Sequence, residues 1–159
     1  MKARKLFLLF VCVLAVMLLV TGLAAAKATR TEFTGTETQI GGEAPLRYWE
    51  AGQTAHIRGM QGVYWEEATD PRVSGINTIL VNMNIHPVSG GGVQIQFWGT
   101  YVLENEGGSW SGTFQGLVAA DGIVTYDAHG EGSGSYQGLK IFLHAENTTF
   151  SGYILDPGK

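Results

Sequence analysis

The chain has a single cysteine, Cys12, and the sequence from residue 27 to residue 159 has none. That part of the chain therefore cannot hold a disulfide, a catalytic cysteine, a thiolate metal site or a redox pair. If it is exported, its stability must come from a hydrophobic core rather than from cross-links. A stretch of roughly 130 residues is long enough to bury one such core.

Basic residues are also few. Seven of the ten lysines and arginines follow residue 26, together with all fourteen acidic residues, so this part of the chain has a net charge of −7. Nucleic-acid binding needs a basic stripe, and adhesion to anionic lipid needs basic clusters. We therefore predict no nucleic-acid partner, and no membrane partner once the N-terminal segment described below has been removed.

Sequence motifs for metals and nucleotides are missing as well. The four histidines (His56, His86, His129 and His144) form neither H-x-H nor H-x-x-x-H, so no zinc site is predicted. The glycine-rich run "AHGEGSGSYQGLKIF" (128–142) lacks the G-x-x-x-x-G-K of a phosphate loop. An alternating segment follows it, where a dinucleotide fingerprint requires a helix. The sequence predicts no cofactor.

The N-terminus does carry a recognisable signal. Residues 2–5 include three basic side chains, residues 6–26 have no charge, and residues 24–26 read Ala-Ala-Ala. This order is typical of a signal peptide, which we predict for residues 1–26, with a secreted product, extracellular or periplasmic. The alternative is an uncleaved membrane anchor, because an uncharged span of this length can cross a bilayer.

The rest of the chain is patterned as β-strands. Apolar residues alternate with polar ones in several runs, such as 79–86 and 93–104, whereas no apolar period of 3.6 persists over ten residues. Turn signals rich in Gly, Pro, Asp and Asn separate the runs. We predict that residues 27–159 form a single, meandering, antiparallel β-barrel of about eight strands, with a β-sandwich as the alternative. The expected strands are 30–39, 45–51, 54–66, 74–86, 92–104, 109–118, 122–132 and 135–145, with a short one near 150–155.

The glycine-rich run fits this barrel as part of its wall. Gly130, Gly132 and Gly134 are two residues apart and therefore share one face of a strand. Such a bare face can bend sharply or lie under a large side chain from a neighbouring strand. We expect Gly134–Gly138 to form a corner around Tyr136.

Two sets of residues could carry a function. Asp127 and Glu131 flank His129 on one strand face, and carboxylates can orient a histidine for acid–base chemistry. The alternative is a solvated polar face. The second set consists of aromatic residues that either line a ligand cavity or form ordinary core: Phe97, Tyr101, Trp110, Phe114, Tyr126 and Tyr136. The sequence leaves open which strand faces point inward and what the oligomeric state is.

The order of these strands also resembles a known superfamily. "VQIQFWGTYVLEN", a Gly-Gly hairpin, "SWSGTFQG", "HGEGSGSYQGLKIF" and "GYILDP" are similar to strands of the secreted, allene-oxide-cyclase-like barrels, a group that includes the dirigent proteins. The pattern is closest to that of secreted bacterial members. The resemblance covers residues 74–155 and implies an antiparallel barrel that works without a cofactor. Catalytic residues of the plant enzymes cannot be aligned with this chain, so none is transferred.

These observations predict a secreted, cofactor-free barrel that binds a small apolar ligand or serves as a scaffold. The alternative implied by the resemblance is a cofactor-independent cyclase or isomerase of the allene-oxide-cyclase type. No metal ligand is predicted in either case.

Overall fold

The computed structural model describes residues 27–158; the predicted signal peptide (1–26) and the last residue lie outside the described residues. Nine strands and one short 3-10 helix lie within the compact unit Thr29–Asp156. The 3-10 helix, Pro71–Val73, follows the third strand, and no helix in residues 27–158 is long and apolar enough to cross a membrane. The strands are β1 (Thr29–Glu43), β2 (Arg47–Ala51), β3 (Thr54–Ala68), β4 (Gly75–Pro87), β5 (Val93–Asn105), β6 (Gly108–Val118), β7 (Val124–Gly134), β8 (Lys140–Glu146) and β9 (Thr149–Asp156).

All nine strands belong to one antiparallel sheet that closes into a ring. Consecutive strands pair from β2 through β9, β9 pairs with β1, and β1 pairs back with β3. Closure of this kind leaves few unpaired strand edges. The predicted antiparallel, all-β barrel is confirmed as the fold class, and the sheet is not divided into the two layers of a sandwich.

The ring is less regular than the prediction, because two strands share one edge of β3. The first part of β3 (54–58) pairs with β2, whereas its second part (61–68) pairs with β1. Register shifts occur between Gln39 and Gly41 in β1 and between Ile57 and Met60 in β3. The result is a barrel-like ring with one additional strand at its seam.

The alternation in the sequence places apolar side chains inside the barrel. On β4 and β5, for example, Val81, Tyr101 and Leu103 are buried, whereas their sequence neighbours Leu80 and Val102 are exposed. Burial of such side chains contributes roughly 25 cal/mol for each Å² of apolar surface removed from water. The strands are therefore stabilised mainly by their inward faces.

One end of the barrel is closed by packed side chains. Trp110 is fully buried, stacks on Tyr136 with ring centroids 5.1 Å apart, and donates its indole N–H to the carbonyl oxygen of Arg72 at 2.7 Å. Asn105 accepts a hydrogen bond from the Tyr136 hydroxyl and donates one to the carbonyl oxygen of Ser74. The loop around the 3-10 helix is thereby tied to β5, β6 and the β7–β8 corner.

The glycine-rich run has the structure expected of a barrel wall. A Cβ atom at Gly130 would overlap the Tyr101 hydroxyl, and one at Gly132 would overlap the backbone oxygen of Tyr136. Gly130 therefore lies under the Tyr101 side chain, and Gly132 lies against the main chain of the corner. Gly134 and Gly138 have φ angles of 65° and 90°, which other residues rarely adopt, and they bound the corner that carries Tyr136. This corner is why β8 begins at Lys140 rather than near residue 135.

Candidate functional site

The barrel is not filled by its side chains. A cavity of about 490 Å³ lies between the inward faces of β1 and β3–β8, and its lining residues Gln39, Gly42 and Glu43 are exposed. The cavity therefore opens at the end of the barrel opposite Trp110. Its size is within the range of sites that hold a small molecule, roughly 300–1,000 Å³.

Four of the six aromatic residues predicted to line a cavity do so: Phe97, Tyr101, Phe114 and Tyr126. Phe97, Phe114 and Tyr126 form a triangle with ring centroids 6.2 to 6.3 Å apart. Gly99 and Gly116 make room for two of these rings, because a Cβ at either position would overlap a phenylalanine ring. These three rings therefore form an aromatic part of the cavity wall.

Trp110 and Tyr136 are placed differently from the prediction. Neither is among the cavity-lining residues, and both are buried in the packed end described above. Their polar atoms already have partners, the carbonyl of Arg72 and the side chain of Asn105. In the described structure these two residues belong to the core.

The cavity wall also contains three buried polar side chains on adjacent strands, Glu66 on β3, Asn77 on β4 and Tyr101 on β5. Glu66 is only 3% exposed, and its Oε1 accepts a hydrogen bond from the Asn77 amide. Glu66 Oε2, Asn77 Oδ1 and the Tyr101 hydroxyl are buried without a hydrogen-bond partner in residues 27–158. Leaving such a group unsatisfied costs about 1–3 kcal/mol. All three atoms belong to side chains that line the cavity, which brings unsatisfied polar groups together at one place in its wall.

A second carboxyl group lies beside this cluster. Glu37 on β1 is directly opposite Glu66 in the β1–β3 pairing, and it accepts a hydrogen bond of 2.7 Å from the Tyr126 hydroxyl. Burial raises the pKa of the Glu37 carboxyl, and the bond from Tyr126 offsets part of that rise. The cavity thus holds two neighbouring carboxyl groups, on the two strands that close the ring.

Burial also governs the ionisation of the central groups. It raises the pKa of Glu66 to about 7, with the hydrogen bond from Asn77 lowering it and the charge of Glu37 raising it further. The pKa values of Tyr101 and Tyr126 are raised well above their usual range, chiefly by burial. Near neutral pH, Glu66 is therefore present in both protonation states, while the tyrosines stay protonated.

The predicted acid–base row lies on the other side of the wall. Asp127, His129 and Glu131 are all exposed on the outer face of β7, with side-chain exposures of 73% for Asp127 and 77% for Glu131. Asp127 lies 2.8 Å from His144 on β8, and His129 lies 3.3 Å from the Thr113 hydroxyl. These side chains cannot contact a molecule inside the cavity, because the buried residues of β7 face the opposite way.

Glu66 is a candidate site residue that the sequence did not predict. Its signal is the alternation of β3, in which Met60, Gly62, Tyr64 and Glu66 share one face and Val63 and Trp65 share the other. In that stretch the two faces are about equally apolar, so the pattern does not indicate which face points inward. The inward direction of the Glu66 face follows from the pairing of β3 with β1, which places Glu66 opposite Glu37.

Within residues 27–158, no three His, Cys, Asp or Glu side chains come together in a group that could hold a metal ion. Comparisons with models of protein families, with curated proteins and with solved structures find no match to this chain. The candidate site is therefore interpreted from its own geometry.

Proposed function

We propose that this protein binds a small, mainly apolar molecule inside its barrel, as a secreted and cofactor-free binding protein. The observation that carries the proposal is a cavity of about 490 Å³ whose aromatic wall contains three buried polar atoms without partners. Ligand sites typically combine an apolar lining with a few polar groups that fix the orientation of the ligand.

The unfilled volume of the cavity supports a binding role over that of a scaffold. A packed barrel gains stability when inward side chains fill its interior, whereas here a cavity of about 490 Å³ remains between them. Unfilled volume in a core lowers stability, by about 24 cal/mol for each Å³ in a large-to-small mutant series. A barrel that served only as a rigid support would gain from filling this space.

Ligand screening tests the proposal. The protein expressed from its full sequence is screened against lipids and phenolics by thermal shift and native mass spectrometry. For each compound that binds, we expect Met83→Trp to weaken binding at least about tenfold, because Met83 lines the cavity. Leu80→Trp is the matched control, since Leu80 is exposed on the outer face of the same strand. No binding across the screen, or equal loss in both variants, contradicts the proposal.

The predicted signal peptide supports export of the protein. We propose that residues 1–26 are removed during this export, which predicts a mature chain beginning at Lys27. N-terminal sequencing of the protein recovered from outside the cytoplasm tests this point. The kinship with allene-oxide-cyclase-like barrels is likewise proposed, on the strand order and the G-x-G-x-Y-x-G-L motif at 132–139.

A cofactor-independent isomerase or cyclase is the second candidate, and the Glu66 carboxyl is the observation that favours it. An acid with a pKa of about 7 inside an apolar cavity can both donate and accept a proton. Ligand recovered after incubation with the protein is compared with the starting material by chromatography. A new isomer that Glu66→Gln fails to produce supports catalysis, and unchanged ligand supports binding alone.

A further inference from the structure

The charges in the cavity wall all have the same sign. Glu37 and Glu66 line its interior and Glu43 lies at its opening, whereas no Lys, Arg or His of residues 27–158 is among the lining residues. Bringing a carboxylate ligand into this space would place like charges together in a region of low polarity. Fatty acids and other organic anions are therefore disfavoured.

The hydrogen-bonding groups without partners are mainly acceptors. The Asn77 amide donates to Glu66, and the Tyr126 hydroxyl donates to Glu37, so both of these donors are in use. The unpartnered atoms include two acceptors, Glu66 Oε2 and Asn77 Oδ1, and the Tyr101 hydroxyl, which can accept as well as donate. Two of the three unpartnered atoms can only accept, so a ligand that pairs with them must supply the donors.

We infer that the ligand is a hydrophobic amine whose ammonium group bonds to Glu66 Oε2, Asn77 Oδ1 and the Tyr101 hydroxyl, after small side-chain shifts that expose these buried atoms to the cavity. An ammonium group has three N–H donors, which matches the three atoms without partners. The apolar body of the molecule would lie against Phe97, Phe114 and Ile79, which line the same cavity. This inference rests on the proposed binding function and specifies the chemistry of its ligand.

Aromatic rings add to this selectivity for a cation. Tyr64, Tyr101 and Tyr126 line the polar part of the cavity, and the faces of such rings attract ammonium groups, by about 2 kcal/mol when desolvated. A neutral alcohol can use the same hydrogen-bond acceptors but gains neither this attraction nor the pairing with an ionised carboxyl. An amine should therefore bind more tightly than the alcohol with the same carbon skeleton.

The pairing also makes binding depend on pH. The titratable groups that line the cavity around Glu66 are Glu37 on β1, Tyr64 on β3, Tyr101 on β5 and Tyr126 on β7, while β4 contributes the uncharged Asn77. Because the pKa of Glu66 is about 7 in the free protein, this carboxyl is ionised at pH 8 and protonated at pH 5. We expect the affinity for an amine to fall by about tenfold or more from pH 8 to pH 5. The affinity for an alcohol should change little.

A matched series of probes tests the inference: decylamine, 1-decanol and decanoate, titrated into the full-sequence protein at pH 8 by calorimetry. We expect decylamine to bind at least about tenfold more tightly than 1-decanol, and decanoate to bind most weakly. Equal or tighter binding of the alcohol or of decanoate overturns the amine inference while leaving the binding function intact. Failure of all three probes counts against the amine inference, and the wider ligand screen then decides the binding function separately.

Two variants assign the effect to the cavity. Glu66→Gln keeps the shape of the side chain and removes its charge, so decylamine affinity should fall about tenfold while that of 1-decanol stays nearly the same. Glu131→Gln removes an exposed charge on the outer face of β7 and should change neither. If Glu66→Gln fails to fold, Tyr101→Phe replaces it and should lower decylamine affinity several-fold. An unchanged preference for the amine in either folded cavity variant overturns the inference.

Discussion

The two ends of the barrel use similar residues in opposite ways. At the closed end, Trp110 and Tyr136 stack on each other and every polar atom of the pair has a partner. In the cavity, Tyr101 and Glu66 are just as buried, yet the Tyr101 hydroxyl and one Glu66 oxygen have none. The closed end is arranged for stability, whereas the cavity gives up stability to keep space and unpaired hydrogen-bonding groups available.

The difference shows where function is found in a fold of this kind. A satisfied, packed cluster has no free hydrogen-bonding group left to bind a ligand, although its residues are as buried as those of the cavity wall. The incomplete cluster marks the site, because buried polar groups without partners are rare in folded proteins and call for an explanation. Three predictions test this contrast, in order of decreasing expected effect.

The first prediction concerns the closed end. Trp110→Ala should lower the free energy of unfolding by about 3–5 kcal/mol, because it leaves a void in a packed region and removes the bond to Arg72. Phe97→Ala should lower it by clearly less, since Phe97 is only partly buried and already borders the cavity. Urea unfolding of both variants measures the difference. Equal losses would contradict the division between the two ends.

The second prediction concerns the cavity. The folded protein keeps the Glu66 proton up to about pH 7, whereas the unfolded chain releases it near pH 4.5, so stability falls as the pH rises from about 4.5 to 7. This fall amounts to about 3 kcal/mol, and it levels off above pH 7. Glu66→Gln should remove it and should therefore be more stable than the wild type at pH 8. A smaller decline remains in the variant, because the pKa of Glu37 is raised as well.

Urea unfolding at pH 5, 6, 7 and 8 measures this effect. The matched control is Glu131→Gln, which removes an exposed carboxyl and should keep the pH dependence of the wild type. If the free energy of unfolding had the same pH dependence in the wild type and in Glu66→Gln, ionisation of the buried Glu66 carboxyl would not destabilise the fold. The cavity would then not differ from the closed end in its electrostatics.

The third prediction concerns the wall beside Tyr136. Gly132→Ala should cost about 1–3 kcal/mol, because the added methyl group would overlap the Tyr136 backbone. Glu131→Ala, one residue earlier on the outer face, should change stability by no more than about 0.5 kcal/mol. Thermal unfolding is sufficient to compare the two. If Gly132→Ala were as stable as the wild type, the packing at the closed end could adjust to the added methyl group. That result would contradict the rigid packing described here.

The sequence predicted most of the strands because their alternation is strong. The expected runs 74–86, 92–104 and 109–118 agree with β4, β5 and β6 to within one residue at each end. The sequence predicted that the sheet closes into a barrel, but not which strands pair where it closes. That β1 pairs with the second half of β3, leaving β2 on the first half, depends on contacts between residues 18 to 33 positions apart. No local pattern contains that information.

The site was harder to predict than the fold. Phe97, Tyr101, Phe114 and Tyr126 line the cavity as the alternation indicated, but Trp110 on the same face of β6 as Phe114 lies in the packed end. Alternation gives the side of the wall on which a residue lies, not its height along the barrel. The pattern of Asp127, His129 and Glu131 suggested an acid–base site. The same alternation that buries Ala128 places these three side chains on the outer face of β7.

The pairing of β1 with β9 has a consequence for protein engineering. Thr29 and Asp156 are directly opposite each other at one end of this pair. The first and last residues of the barrel unit therefore lie side by side on neighbouring strands. A short linker could join them, and new ends could be opened in the exposed glycines 90–92 between β4 and β5. The circularly permuted chain would keep every strand pairing of the ring, and it would carry any fused tag at the β4–β5 connection, where Gly92 lies near Ala120 of the β6–β7 turn.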